Sequence, residues 1–131
     1  MPVYQSAEVL YHNLQTLFAE IERQRPETVA SLLKAKMRIR LQCSDPEAEV
    51  SIDARVRPYH ITYGANSEKP DLNITLSTDT LHQILLGELS LKKAIGRKQV
   101  VPHGPVLKVM ALADLFRQAQ MIYPDIVAQD D

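Results

Sequence analysis

The residues best equipped for chemistry in this chain are four histidines, one cysteine and five tyrosines. His12, His60, His82 and His103 stand far apart. None forms a His-x-x-x-His pair, the spacing that puts two ring nitrogens on one helix face, and Cys43 has no partner at metal spacing. Cys43 falls on the apolar side of a run of alternating residues, where a thiol is expected to be buried and inert. Asp45, Glu47, Glu49 and Asp53 cluster around a turn and the strand after it. Glu49 and Asp53 would share the wet face of that strand, whereas an acid–base pair needs one carboxyl in an apolar site. The chain has no Gly-x-Ser-x-Gly elbow, no phosphate-cradling glycine loop and no dinucleotide fingerprint. All four glycines fall at expected turns or helix ends. No metal, no cofactor and no turnover are therefore expected.

Two groups of polar residues keep a binding role. Tyr59 and Tyr63 share one strand face, and a tyrosine in an apolar setting orients a ligand through its hydroxyl more readily than it acts as an acid. Lys92, Lys93, Arg97 and Lys98 form a basic run. Lys92 and Lys93 suit the negative end of a short helix. The same four cations also suit transient docking on anionic lipid headgroups.

The elements that must position these residues follow from periodicity. Ala7, Leu10, Leu14, Leu17, Phe18 and Ile21 form one stripe on a helix from about Ser6 to Gln24. Pro26 breaks it and starts a second helix, with Val29, Leu32, Leu33 and Met37 as its apolar face. From Met37 the period changes to two: Ile39, Leu41 and Cys43; then Val50, Ile52, Ala54 and Val56; then Tyr59, Ile61 and Tyr63; then Leu72, Ile74 and Leu76. Four strands with one wet and one dry face predict an antiparallel or mixed sheet covered on one side. Ser77 or Thr78 can cap the next helix, which carries Leu81, Ile84 and Leu85 and stops at Gly87. Ser90 caps a shorter helix ending at Gly96. Arg97 to His103 predicts a fifth strand, placed at an edge by Pro102. Pro105 starts a last helix, which Tyr123-Pro124 stops.

The chain has 131 residues, 45% apolar, 24% charged and net charge −1. That size suits one domain, residues 1–131, with a helical segment at 1–36 and a sheet plus helices at 37–122. The charge argues against nucleic-acid binding, which needs an excess of Lys and Arg. A single thiol makes no intrachain disulfide. No secretory pattern, no bilayer-length apolar run and no Ser-Lys-Leu ending is present, so a cytoplasmic location is expected.

The chain from about Met37 to Ile122 carries a resemblance in architecture, most specific from Asp71 to Gly104. Asp71-Leu72-Asn73-Ile74-Thr75-Leu76-Ser77, then Gly87-Glu88-Leu89-Ser90-Leu91-Lys92-Lys93-Ala94-Ile95, then Arg97-Lys98-Gln99-Val100 with Gly104, resemble the sterol carrier protein type 2 family. Ile95 stands where that family usually has an aromatic residue, and Pro102 and Pro105 also depart from its pattern. The resemblance implies an α+β fold: a mostly antiparallel sheet of about five strands, helices on one face, two N-terminal helices and one C-terminal helix. It implies an apolar cavity that holds a lipid without chemistry. The apolar positions of the resembling segment supply its candidate wall: Ile61, Ile74, Leu76, Ile84, Leu85, Leu89, Ile95, Val109, Leu112 and Phe116, with Tyr59 and Tyr63 as polar contacts. A dry void of about 300 Å³ would cost roughly 7 kcal/mol at about 24 cal/mol per Å³, against a total stability of about 5–15 kcal/mol. A ligand, water or a partner should therefore fill it. Two functions fit: a carrier for a fatty acyl, sterol-like or isoprenoid lipid, or an accessory subunit that binds a partner enzyme, as in isoprenoid quinone biosynthesis, or forms a homodimer.

Overall fold

The computed structural model describes residues 4–34 (backbone alone at 31–33), 36–56, 59–66, 68–104, 109 and 112–128. Helices α1 (Ala7–Gln24) and α2 (Pro26–Lys34) precede strands β1 (Arg38–Ser44), β2 (Ala48–Asp53), β3 (His60–Tyr63) and β4 (Leu72–Ser77). Helices α3 (Thr78–Leu86) and α4 (Leu91–Gly96), strand β5 (Val100–His103) and helix α5 (Ala113–Ala128) complete the order. The five strands lie in the order β3-β2-β1-β4-β5. All neighbours are antiparallel except β1 and β4, which run parallel. The fold is the expected α+β class with a mixed, mostly antiparallel sheet.

Register gives the sheet one dry face. Ile39 lies beside Ile52 and Leu72, and Leu41 beside Val50 and Ile74. These side chains are buried under the helices, α1 packing on α2 and α5, and α3 on α5. The other face is an ion-pair ladder: Arg38 pairs with Asp53 at 3.1 Å and with Glu68, and Arg40 donates to Asn73 at 2.7 Å. Polar side chains alternating with apolar ones leave that face to water.

Local chemistry sets the ends. The Ser77 hydroxyl accepts from the Thr80 amide at 3.0 Å and the Ser90 hydroxyl from the Lys93 amide at 3.1 Å, so both serines cap helices. Gly87 ends α3 in the left-handed conformation, φ 83°.

Four boundaries differ from the sequence reading. Helix α2 stops at Lys34, Lys36 turns at φ 49°, and Met37 is buried at the entry to β1 rather than on the helix. Strand β2 stops at Asp53; Ala54 begins a turn, and Val56 is exposed. Helix α4 ends at Gly96 as expected, and Lys98 at φ 61° makes a left-handed turn after it. The chain after that turn enters β5 only at Val100. Helix α5 runs through Pro124 to Ala128. A proline inside a helix costs roughly 3 kcal/mol, and burial of Ile126 in the last turn offsets much of that. The predicted start at Pro105, with Val106 and Met110, lies outside the described residues. So do the Arg57-Pro58 turn and the side chains of Leu32 and Leu33.

Candidate functional site

Three helices and the sheet meet around one apolar cavity. Helix α1 contributes Leu14, Leu17, Phe18 and Ile21, spaced so that all four point the same way. The sheet contributes Ile39 and Leu41 from β1 and Ile52 from β2. Helix α3 adds Leu81 and Leu85, and Leu112 with Leu115, Phe116 and Ala119 closes the far side. The enclosed volume is about 30 Å³. None of these side chains carries a polar atom, so a water entering would find no partner and the cavity stays dry. At about 24 cal/mol per Å³ it costs roughly 0.7 kcal/mol, which a marginally stable fold tolerates.

Of the wall residues expected from sequence, Leu85, Leu112 and Phe116 line this cavity. Ile74 and Leu76 on β4, Ile84 on α3, Leu89 and Val109 are buried in the surrounding core. Ile61 on β3 and Ile95 on α4 pack at its margin. The α1 residues are absent from the expected wall, although their stripe is visible in the sequence.

The two expected tyrosines sit at the sheet edge. Tyr59 donates to the Glu22 carboxylate at 3.1 Å, and burial with that nearby charge pushes its hydroxyl up to about 12. Tyr63 packs its ring on Tyr11, centroids 5.8 Å apart, and burial likewise raises it to about 12. Cys43 is buried, which pushes its thiol up to about 11. A thiol held protonated is neither nucleophile nor ligand. Among the described residues no group of three or more His, Cys, Asp or Glu is placed to hold a metal. Lys92, Lys93, Arg97 and Lys98 are all exposed on and after α4.

A polar cluster lies against the cavity. Asn13 Nδ2 donates to Tyr4 Oη at 3.0 Å, the Tyr4 and Tyr123 hydroxyls share a short hydrogen bond, and Tyr123 Oη meets His82 Nδ1 at 2.7 Å. The His82 ring is edge-to-face with Tyr4 at 5.7 Å and with Tyr123 at 5.5 Å. Tyr4, Asn13 and Tyr123 are buried. Burial holds His82 below the usual imidazole range, while the Glu88 and Asp79 carboxylates pull the other way. A neutral imidazole with its proton on Nε2 accepts at Nδ1, so hydrogen-bond donation can run in one direction from Asn13 through Tyr4 and Tyr123 to His82. The sequence signal for this cluster is Asn13, a polar residue inside the apolar stripe of α1.

The model of the SCP-2 sterol transfer family matches residues 18–117. The chain belongs to that family. Its fold also resembles the sterol carrier protein domain 2 of Helicoverpa armigera (TM-score 0.67, 23% identity, covering 86% of this chain and 88% of that one). Sterol carrier protein 2 from Yarrowia lipolytica in its apo form is similar too (0.65, 16%, 87% and 91%). So is a protein named UbiJ-SCP2 Ubiquinone synthesis protein (0.61, 11%, 92% and 94%). No curated protein matches the sequence. Within this SCP-2 chain, the family match takes in most of the cavity wall but leaves Leu14, Leu17 and Ala119 outside. Tyr4, Asn13 and Tyr123 also fall outside it.

Proposed function

We propose that this chain is a non-catalytic carrier that holds a long-chain lipid between the sheet and helices α1, α3 and α5. The observation that carries the reading is the all-apolar wall where these elements meet. A site that binds an alkyl chain needs such a wall, and a site that does chemistry needs a positioned polar group at it. The cavity of about 30 Å³ is a seam rather than a tunnel. Ligand pockets run to about 300 Å³ and above, so a lipid must part the helices from the sheet as it enters. Dispersion contacts across the seam allow that sliding, because no hydrogen bond between lining side chains has to break. Of the twelve expected contacts, Leu85, Leu112 and Phe116 line the seam already, and the other nine, Tyr59 and Tyr63 among them, would form the second ring that an enlarged cavity reaches. The four cations on and after α4 would hold the protein transiently at an anionic membrane surface, each contributing about 1 kcal/mol near it.

A second reading, an accessory or self-associating subunit, is favoured by Met121. It is 62% exposed on α5, beside a groove of about 300 Å³ between α1 and α5. The structural likeness to a ubiquinone synthesis protein is consistent with it. Native mass spectrometry of protein purified from cells tests both. A mass increment of one lipid supports the carrier; a dimer or a co-purifying protein supports the accessory subunit. Lipid-free monomer that shows no saturable uptake of a fluorescent fatty acid removes the carrier reading.

A further inference from the structure

We propose that the Asn13–Tyr123–His82 cluster is the head-group site of the carrier, built for a phenol ring and held in the present structure by the chain's own Tyr4. The inference rests on the carrier reading and names the class of lipid: an alkyl chain ending in a hydroxylated aromatic ring. The placement follows from helix geometry. Asn13 lies one turn from Leu17 on α1, His82 about one turn from Leu85 on α3, and Tyr123 one turn from Ala119 on α5. Residues three or four apart share a helix face. Three separate helices therefore carry the polar cluster in the same layer, next to the apolar wall.

What fills that layer is Tyr4. It precedes α1, whose first residue is Ala7, so its withdrawal unwinds no helix. Its ring is nonetheless 4% exposed. The surroundings recognise both halves of a phenol. Asn13 Nδ2 and Tyr123 Oη take the hydroxyl. The His82 ring stands at 87° to the aromatic face, an arrangement a saturated ring would not reward. A free phenol entering there would keep each of these contacts.

The test uses the full chain with Tyr4→Ala, and p-cresol, which is the missing side chain. Tyr4→Ala should melt lower than wild type. An excess of p-cresol should raise its Tm by on the order of 10 °C at about a hundred times Kd, while toluene, which lacks the hydroxyl, should do far less. Wild type should respond to neither. Equal recovery by toluene, or none by p-cresol, overturns the head-group site even if the protein still takes up a fluorescent fatty acid. If Tyr4→Ala does not fold, Tyr4→Leu keeps an apolar plug, and the same comparison of p-cresol with toluene decides the question in that variant. A third ligand separates this inference from the reading beneath it. 4-Pentylphenol should bind at least tenfold tighter than p-cresol if its tail enters the seam. Selective p-cresol rescue with no gain from the tail would uphold the phenol site and remove the carrier.

Discussion

Filling the seam should weaken lipid uptake at least tenfold without unfolding the protein. Ala119 is the position to change: it is 2% exposed, lies on α5 and faces the cavity between α1, α3 and the sheet. Leucine there adds three carbons. The cavity of about 30 Å³ accepts only part of that addition, so neighbours must give way. Overpacking of this kind typically costs about 1–3 kcal/mol. For a chain this size each kcal/mol is worth about 4 °C in Tm, so a fall of roughly 4–12 °C is expected. A protein with several kcal/mol in hand stays folded through that loss. Binding suffers more, because a lipid must now displace leucine as well as part the helices; at least a tenfold rise in Kd is expected. Differential scanning calorimetry and titration with a fluorescent fatty acid measure the two effects side by side. A folded Ala119→Leu protein with wild-type affinity would show that the chain enters elsewhere, and the reasoning about this seam would fail.

Tyr123→Phe removes the hydroxyl that both Tyr4 and His82 contact. Leaving buried partners unsatisfied costs about 1–3 kcal/mol, and a urea midpoint unchanged within error would show the cluster to be energetically idle. Acid should loosen the wild-type fold through His82. Its folded pKa lies below the ordinary value, so between about pH 6.5 and that lower pKa the unfolded chain holds more protons, and stability falls as pH falls. Urea titrations from about pH 7.5 to 5 should show this decline, and His82→Gln should flatten it; an equal decline in the variant would assign it to other groups. The glycines Gly96 and Gly104 should respond with opposite sign. Gly104 sits at φ 139°, and a Cβ there would meet the Asp71 carbonyl oxygen at 2.8 Å, so Gly104→Ala should destabilise by more than about 1 kcal/mol. At helical Gly96 a Cβ meets nothing within 4 Å, and alanine should stabilise by about 0.5–1 kcal/mol in thermal melts.

Most of the architecture was legible because its causes are local. Alternation at Ile39-Leu41-Cys43 and Leu72-Ile74-Leu76 survives into β1 and β4, since a one-residue slip would turn every apolar side chain to water. Ser77, Ser90 and Gly87 act where capping chemistry puts them. The failures have local causes of another kind. Lys36 and Lys98 adopt positive φ, which lysine does not advertise. Pro124 is carried by a turn whose Ile126 is buried against other elements, and tertiary packing is invisible to a rule about one residue and its neighbours.

The site was less legible for a related reason. A wall chosen from one contiguous segment includes Ile84 and Leu89, which are buried beside the seam, and omits Leu14, Leu17, Phe18 and Ile21, which form one side of it from the other end of the chain. The stripe on α1 announces an apolar face but not what it faces. Pairing between α1, β1 and α5 is a long-range fact that no period encodes. Volume is harder still. Core and cavity use the same leucines and isoleucines, and the difference between a seam of about 30 Å³ and a lipid-sized pocket of about 300 Å³ or more is a displacement of whole helices. By the same cavity coefficient the empty pocket would cost about ten times what the seam does. Under the carrier reading, the space for a lipid would therefore exist only while a lipid fills it.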